Sequence, residues 1–249
     1  MKKIWLSLKM QFRIPIAVFF SLVFPIIMMV VMVLSYKNFS IGNGFHFIDK
    51  YFLISTSIGI LPLSLISFPI WISDSIEDKT IERLKYFGVN VKSMVISDLI
   101  SYFLISIFSI FLNIIIAKVF FGLSIPNLPY FLAFFIQVIY CVLVLFLVGL
   151  LLALLVTNSH ILMPLGMIII FLTYMFIGVF IKYDELPSKI VSISKWLPIK
   201  YVTNDFFNIW NKNKFWDIKF LKLNLIWLIL ILILIFIVYY FKYVRFERK

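Results

Sequence analysis

Charged side chains are scarce in this chain, 14% of residues, against roughly 25% in a typical soluble domain. The densest group of them falls in Ser73 to Asn90, SDSIEDKTIERLKYFGVN. Asp74, Glu77, Asp78, Lys79, Glu82, Arg83 and Lys85 can carry charge there, and Tyr86 adds a hydrogen-bonding phenol. The spacing predicts a short helix over 75–87. Ser75 with Asp78 reads as an N-cap and acidic first turn, Gly88 as a C-terminal stop, and Asn90 as the cap of the next helix. Ile76, Thr80, Leu84 and Phe87 fall at i, i+4, i+8 and i+11, which is one face of that helix. The chemistry this pattern offers is recognition, because an apolar ridge supplies burial and flanking charges set orientation and partner choice. The same charges would equally suit a solvated loop that only marks the cytoplasmic side, and spacing alone leaves both readings open.

Other chemistries lack their residues. His46 and His160 fall in loops on opposite sides with no ligand partner at helical spacing, so no metal site is expected. No glycine-rich phosphate loop ending in Gly-Lys-Ser/Thr occurs, so ATP hydrolysis is not expected on this chain and it is not read as an enzyme. A proton-coupled carrier buries ionisable groups in its spans, and apart from Asp98 near one end there are none. No cofactor is implied. The single cysteine, Cys141, lies in an apolar run and forms no internal disulfide.

The elements that position the charged stretch are membrane-length. At 63% hydrophobic residues and a mean hydropathy of +1.10, the chain reads as an all-α membrane protein with six transmembrane helices, each needing roughly 20 apolar residues. Residues 1–13 form a basic amphipathic start expected to lie along the interface as an elbow helix. Spans are expected at 14–36, 51–72, 91–121, 130–156, 161–181 and 223–241, with the charged helix between the second and third. Pro62 and Pro69 should kink the second span. The long third helix should stand its first turns in water, with Asp98 near the interface. Leu186, Ile190, Ile193 and Leu197, then Val202, Phe206, Ile209 and Trp210, repeat at helical spacing across 186–210, with Pro187 in a first helical turn. They predict two short re-entrant or interfacial helices on the outer side. The net charge of +12 sits at span ends, which suits anionic lipid headgroups of the bilayer and not nucleic acid. An inside N-terminus divides the 23 basic residues almost evenly between the two sides. The basic residues before the first span and the placement of Arg13, Arg83, Arg245 and Arg248 favour a cell-membrane protein with both termini cytoplasmic.

Glu77, Asp78, Lys79, Thr80, Ile81, Glu82, Arg83 and Leu84, followed by Gly88, Val89 and Asn90, resemble the segment after the second span in type-2 permeases of ATP-binding cassette exporters. Lys79 stands where that family usually has Gly, and Gly88 where it usually has Pro. Arg13, Pro15, Phe19, Phe20, Phe24 and Pro25 are similar to the family's first span. Leu186, Pro187, Ser194, Trp196, Leu197, Pro198 and Tyr201 are similar to its stretch before the last span. The resemblance implies that 75–87 is a coupling helix resting on a cytoplasmic ATPase subunit through Ile76, Glu77, Asp78, Thr80, Glu82, Arg83, Leu84 and Phe87. It implies an outer gate at Leu186, Pro187, Trp196, Pro198 and Tyr201. The function implied is a permease subunit, paired with an identical or different second permease, that moves a drug, peptide or lipid outward on the power of a separate ATPase. The alternative is a non-transporting membrane scaffold that recruits a cytoplasmic partner through the same 75–87 helix.

Overall fold

Long apolar runs with no water to satisfy their backbone can only be helices. In a computed structural model, described over residues 2–12 and 18–244, six helices are long and apolar enough to cross a membrane. Helix α1 is the short amphipathic Lys2–Gln11. The six are α2 (Phe19–Tyr36), α3 (Phe47–Glu77), α5 (Ser93–Phe121 within the longer helix Val91–Phe121), α6 (Leu128–Leu155), α7 (Ser159–Ile177) and α11 (Ile218–Lys242, of which Ile218–Tyr239 is α-helical). Helix α4 (Thr80–Tyr86) follows α3. Two strands, β1 (Ser40–Gly42) and β2 (Phe45–His46), form a hairpin before α3. Asn43 and Gly44 both take positive φ at its tip, as a two-residue hairpin turn requires. Arg13 and Pro15, part of the first-span resemblance, and Arg245, Arg248 and Lys249 of the basic tail lie outside the described residues, as does the side chain of Glu82.

The axis of the bundle is α3. Its membrane window is 78% buried, against 11% for α11. It carries Pro62 and Pro69 with a π turn, Leu63–Ser67, between them, a common place for a helix to bend. Proline removes a backbone donor, and a neighbouring side chain supplies the replacement. Tyr174 Oη donates to the Ile58 carbonyl, four residues before Pro62, at 3.0 Å. In α2 the carbonyl four residues before Pro25 belongs to Ser21, and Ser109 Oγ donates to it. A second link joins the same helices, with Asn113 Nδ2 donating to Ser55 Oγ at 2.8 Å and Ser55 Oγ to the Pro25 carbonyl at 2.7 Å.

Small residues let the neighbours come close enough for these bonds, as is usual where helices pack in membranes. A Cβ on Gly149 of α6 would collide with the Ser64 carbonyl oxygen in the π turn. One on Gly166 of α7 would stand 2.8 Å from the Leu65 carbonyl oxygen, and one on Gly59 of α3 would stand 2.9 Å from Pro25 Cγ.

The chain between α7 and α11 folds back as α8 (Ser188–Ser194), α9 (Pro198–Lys200, continuing as a π turn, Tyr201–Asp205) and α10 (Phe207–Trp210). Pro187 takes the N-cap position of α8 and not its first turn. Val202, Phe206, Ile209 and Trp210 are fully buried, and the Trp210 indole packs on Phe52, Phe131 and Phe134. Ser57 Oγ and Thr203 Oγ1 share a hydrogen bond at 3.0 Å that ties this re-entrant segment to α3. Gly149→Ala should therefore cost at least the 1–3 kcal/mol typical of overpacking and more than Gly59→Ala, where a proline ring can shift. Thermal unfolding of the purified variants in detergent checks the order.

Candidate functional site

The charged stretch is a corner, not one helix. The chain runs as α3 through Ser75 and Ile76 to Glu77, and Ser75 Oγ donates back to the Trp71 carbonyl at 2.8 Å, so Ser75 is not an N-cap. Asp78 ends α3, Lys79 takes φ +56°, and α4 starts at Thr80. The expected single helix over 75–87 is thus broken by a left-handed residue, a conformation that glycine adopts without steric cost. Lys79 occupies the position where the resembled family usually has Gly. The ridge read from Ile76, Thr80, Leu84 and Phe87 does not exist as one face. Ile76 packs against the chain's own core, while Phe87 is 82% exposed.

Local rules fix the far end of α4. Gly88 has φ +72°, its N–H donates to the Lys85 carbonyl at 3.0 Å, and the Val89 N–H reaches the Leu84 carbonyl at 2.9 Å. This pair of bonds is a Schellman stop. Asn90 Oδ1 then accepts from the Ser93 N–H at 3.1 Å and starts α5. Tyr86, 91% exposed, and Phe87 stand at the end of α4, and Asp78, Lys79, Arg83 and Lys85 of the same corner are exposed too. Thr80, Ile81 and Leu84 are half-buried on the inner face of α4.

The corner is tied to the other helix ends on its side. Glu77 Oε2 accepts from the Ser159 N–H at 3.1 Å at the start of α7, so this carboxylate sits at a helix N-terminus, where negative charge is favoured. Ser73 Oγ donates to the Val156 carbonyl just past α6 at 3.2 Å, and Lys242 Nζ to the Leu154 carbonyl at 2.9 Å. Helix α1 packs on the first turns of α5, with Ser7 Oγ donating to Asp98 Oδ1 at 2.5 Å. The elbow, the corner and the C-terminal end of α11 therefore share one side of the bundle. Asp98, expected near the interface, is not left open to water there. It is buried, because α1 lies over it.

At the opposite end the five residues implied for an outer gate are spread along the re-entrant segment. Leu186, Pro198 and Tyr201 are buried. Pro187 is exposed, and so is Trp196, whose carbonyl accepts from Trp227 Nε1 at 2.8 Å. Beside them is a polar cluster that sequence reasoning missed. Lys200 Nζ lies 2.5 Å from Asp205 Oδ2 and 4.9 Å from the ring centres of both Tyr183 and Tyr201. Burial pulls its ammonium pKa down, and the hydrogen bond and charge of Asp205 outweigh that and carry it above the ordinary lysine value. The five-residue spacing of Lys200 and Asp205 was the only sequence signal. A second missed residue, Asp49, caps α3, with Oδ2 accepting from the His46 N–H and Oδ1 from the Ser124 N–H, both at 2.7 Å. His46 thereby becomes the residue that opens α3 and not merely part of a loop.

Among the described residues no group of three or more His, Cys, Asp or Glu side chains is placed to hold a metal ion. The arrangement offers a water-facing corner with two exposed aromatics, set directly after the most buried helix across the left-handed residue Lys79. No curated protein and no solved structure matches the chain. The family model described as ABC-2 type transporter matches residues 3–209, a stretch that contains the elbow, the corner and the re-entrant segment as far as Ile209. With six membrane-length helices and that match over most of its length, the chain belongs to the ABC-2 type transporter family, as a membrane-spanning permease subunit of an ATP-binding cassette system.

Proposed function

We propose that this permease subunit exports a hydrophobic or amphipathic cargo, a drug, peptide or lipid, and that a separate ATPase subunit drives it by seating on the corner formed by the end of α3 and α4. The observation that carries this reading is the pair Tyr86 and Phe87, 91% and 82% exposed at the end of α4, in a corner that also exposes Asp78, Lys79, Arg83 and Lys85. Aromatic anchors inside a polar rim are the usual composition of a protein-binding hot spot. The corner's rigid attachment supports the same reading. A push on α4 is delivered to α3, and α3 touches α2, α5, α6, α7 and the re-entrant segment. Within this reading both termini are cytoplasmic and a second permease copy, identical or not, completes the cargo path. Leu186, Pro187, Trp196, Pro198 and Tyr201 then belong to the outer gate, held in place by the Lys200 and Asp205 pair.

Ile76 and Glu77 support the seat from behind, through the core and through α7, whereas Asp78, Arg83 and Phe87 face the partner. Replacing Tyr86 and Phe87 together by Ala should weaken association with the copurifying ATPase subunit about 30-fold, the loss expected of a hot spot worth on the order of 2 kcal/mol. Unchanged copurification and ATPase rate would remove the seat from α4. Cys141, the only cysteine, is fully buried, so single introduced cysteines report sidedness cleanly. A membrane-impermeant maleimide should label Ser40→Cys in whole cells and Phe87→Cys only in inverted vesicles. The reverse pattern would put the corner outside, away from any ATP.

A further inference from the structure

Helix α11 is the least covered of the six spans, with 11% of its membrane window buried. It buries Phe220, Leu223, Asn224 and Ile231, and Phe220 packs on Tyr140 and Phe206 while Asn224 Nδ2 donates to the Tyr140 carbonyl at 3.1 Å. Away from these contacts Ile226, Ile229, Leu230, Ile233 and Leu234 line an apolar groove of about 360 Å³ along the helix. Ile226, Ile229 and Ile233 fall at i+4, i+7 and i+11 from Lys222, and Ile226, Leu230 and Ile233 at i+7, i+11 and i+14 from Lys219. At 3.6 residues per turn both lysines therefore stand on the face of the groove, about one and two turns before it begins.

Both lysines are exposed, and neither is neutralised by the protein. Asp217, the acid nearest to them in the chain, is used twice over. It caps α11 by accepting from the Phe220 N–H at 3.0 Å, and it pairs with Lys214 at 3.0 Å. Among the described residues no carboxylate lies within ion-pair distance of Lys219, Lys222 or Lys195. Lys195 and Trp196, both exposed, are fastened beside this end of α11, since Trp227 Nε1 donates to the Trp196 carbonyl at 2.8 Å and Tyr201 Oη to the Lys195 carbonyl at 3.3 Å.

Acyl chains meet every apolar face in a bilayer, so the groove alone selects nothing. The lysines select the headgroup. An anionic phospholipid brings them a phosphate with no cation of its own, whereas a zwitterionic one brings a second positive charge. We infer that α11 carries a site for one anionic phospholipid, with an acyl chain in the groove from Ile226 to Leu234 and the headgroup phosphate on Lys219 and Lys222. The groove covers about 12 Å of helix, most of a hydrocarbon leaflet of about 15 Å. The lipid thus packs the span that the protein itself packs least. This inference requires only that α11 crosses the bilayer, and it stands apart from where the ATPase seats.

The test uses the purified permease complex in phosphatidylcholine liposomes that contain a trace of a lipid with a photoactivatable diazirine in its acyl chain, either phosphatidylglycerol or phosphatidylcholine. Labelled residues are mapped by mass spectrometry. At equal mole fraction the phosphatidylglycerol probe should label residues 226–234 about 30-fold more than the phosphatidylcholine probe, roughly fivefold for each lysine facing an anionic group. Lys219→Gln with Lys222→Gln should bring the two probes level by lowering the first and sparing the second. Lys189→Gln with Lys212→Gln removes the same charge from exposed lysines outside α11 and should change the ratio less than twofold. Equal labelling by the two probes in the unaltered protein overturns the inference. So does a control pair that levels them, which would reduce the effect to diffuse attraction. Absence of label on 226–234, with Ile229→Cys cross-linking to itself between copies, would give the groove to a second permease and also overturn it.

Discussion

The structure depends on one constraint, which is that a bent helix in a waterless interior must find hydrogen-bond donors outside itself. Helix α3 carries two prolines and a π turn at the centre of the bundle. Each missing donor leaves a carbonyl that lipid cannot satisfy. Tyr174 of α7 meets this demand at Ile58, and Ser109 of α5 meets the equivalent one beside Pro25 of α2. Gly149 and Gly166 bring α6 and α7 against the π turn itself. The bend and the packing are therefore one feature. Straightening α3 would strand the donors that now serve it, and removing the glycines would push those donors out of reach.

A helix held on all sides in this way is suited to transmit displacement, and its water-facing end is where displacement can enter. The break at Lys79 turns the chain sharply, so that α4 lies across the end of α3 and does not extend it. The Schellman stop at Gly88 and the Asn90 cap return the chain into α5 within a few residues. A corner with short, hydrogen-bonded connections at both ends cannot swing independently. Glu77 on α7 and Ser73 on the end of α6 fasten it further. The opposite end of α3 is equally fixed, by Asp49 at its cap and by Thr203 of the re-entrant segment.

What could be read from the sequence was whatever depends on a few neighbouring residues. Gly88 and Asn90 announce a helix end and a helix start because their conformations follow from their own chemistry. Membrane-length apolar runs announce helices for the same reason. The helix expected over 75–87 was misread because the apolar spacing of Ile76, Thr80 and Leu84 continues straight across the break, and a lysine gives no sign of a positive φ. The π turn was invisible, although its flanking prolines were not, since the Tyr174 donor that serves the bend comes from 116 residues further along. Asp98 was placed near the interface by its position along α5, with no sign that another helix would cover it. Its burial comes from α1, roughly 90 residues away in sequence. The cage around Lys200 likewise needs Tyr183, which the fold and not the local pattern brings to it.

The most direct measurement is an electron cryomicroscopy structure of the permease assembled with its ATPase subunits. The account predicts that Tyr86 and Phe87 lose their solvent exposure against the ATPase surface, with Arg83 and Asp78 at the rim of the same contact. An ATPase bound elsewhere on the permease, with both aromatics still in solvent, would contradict it.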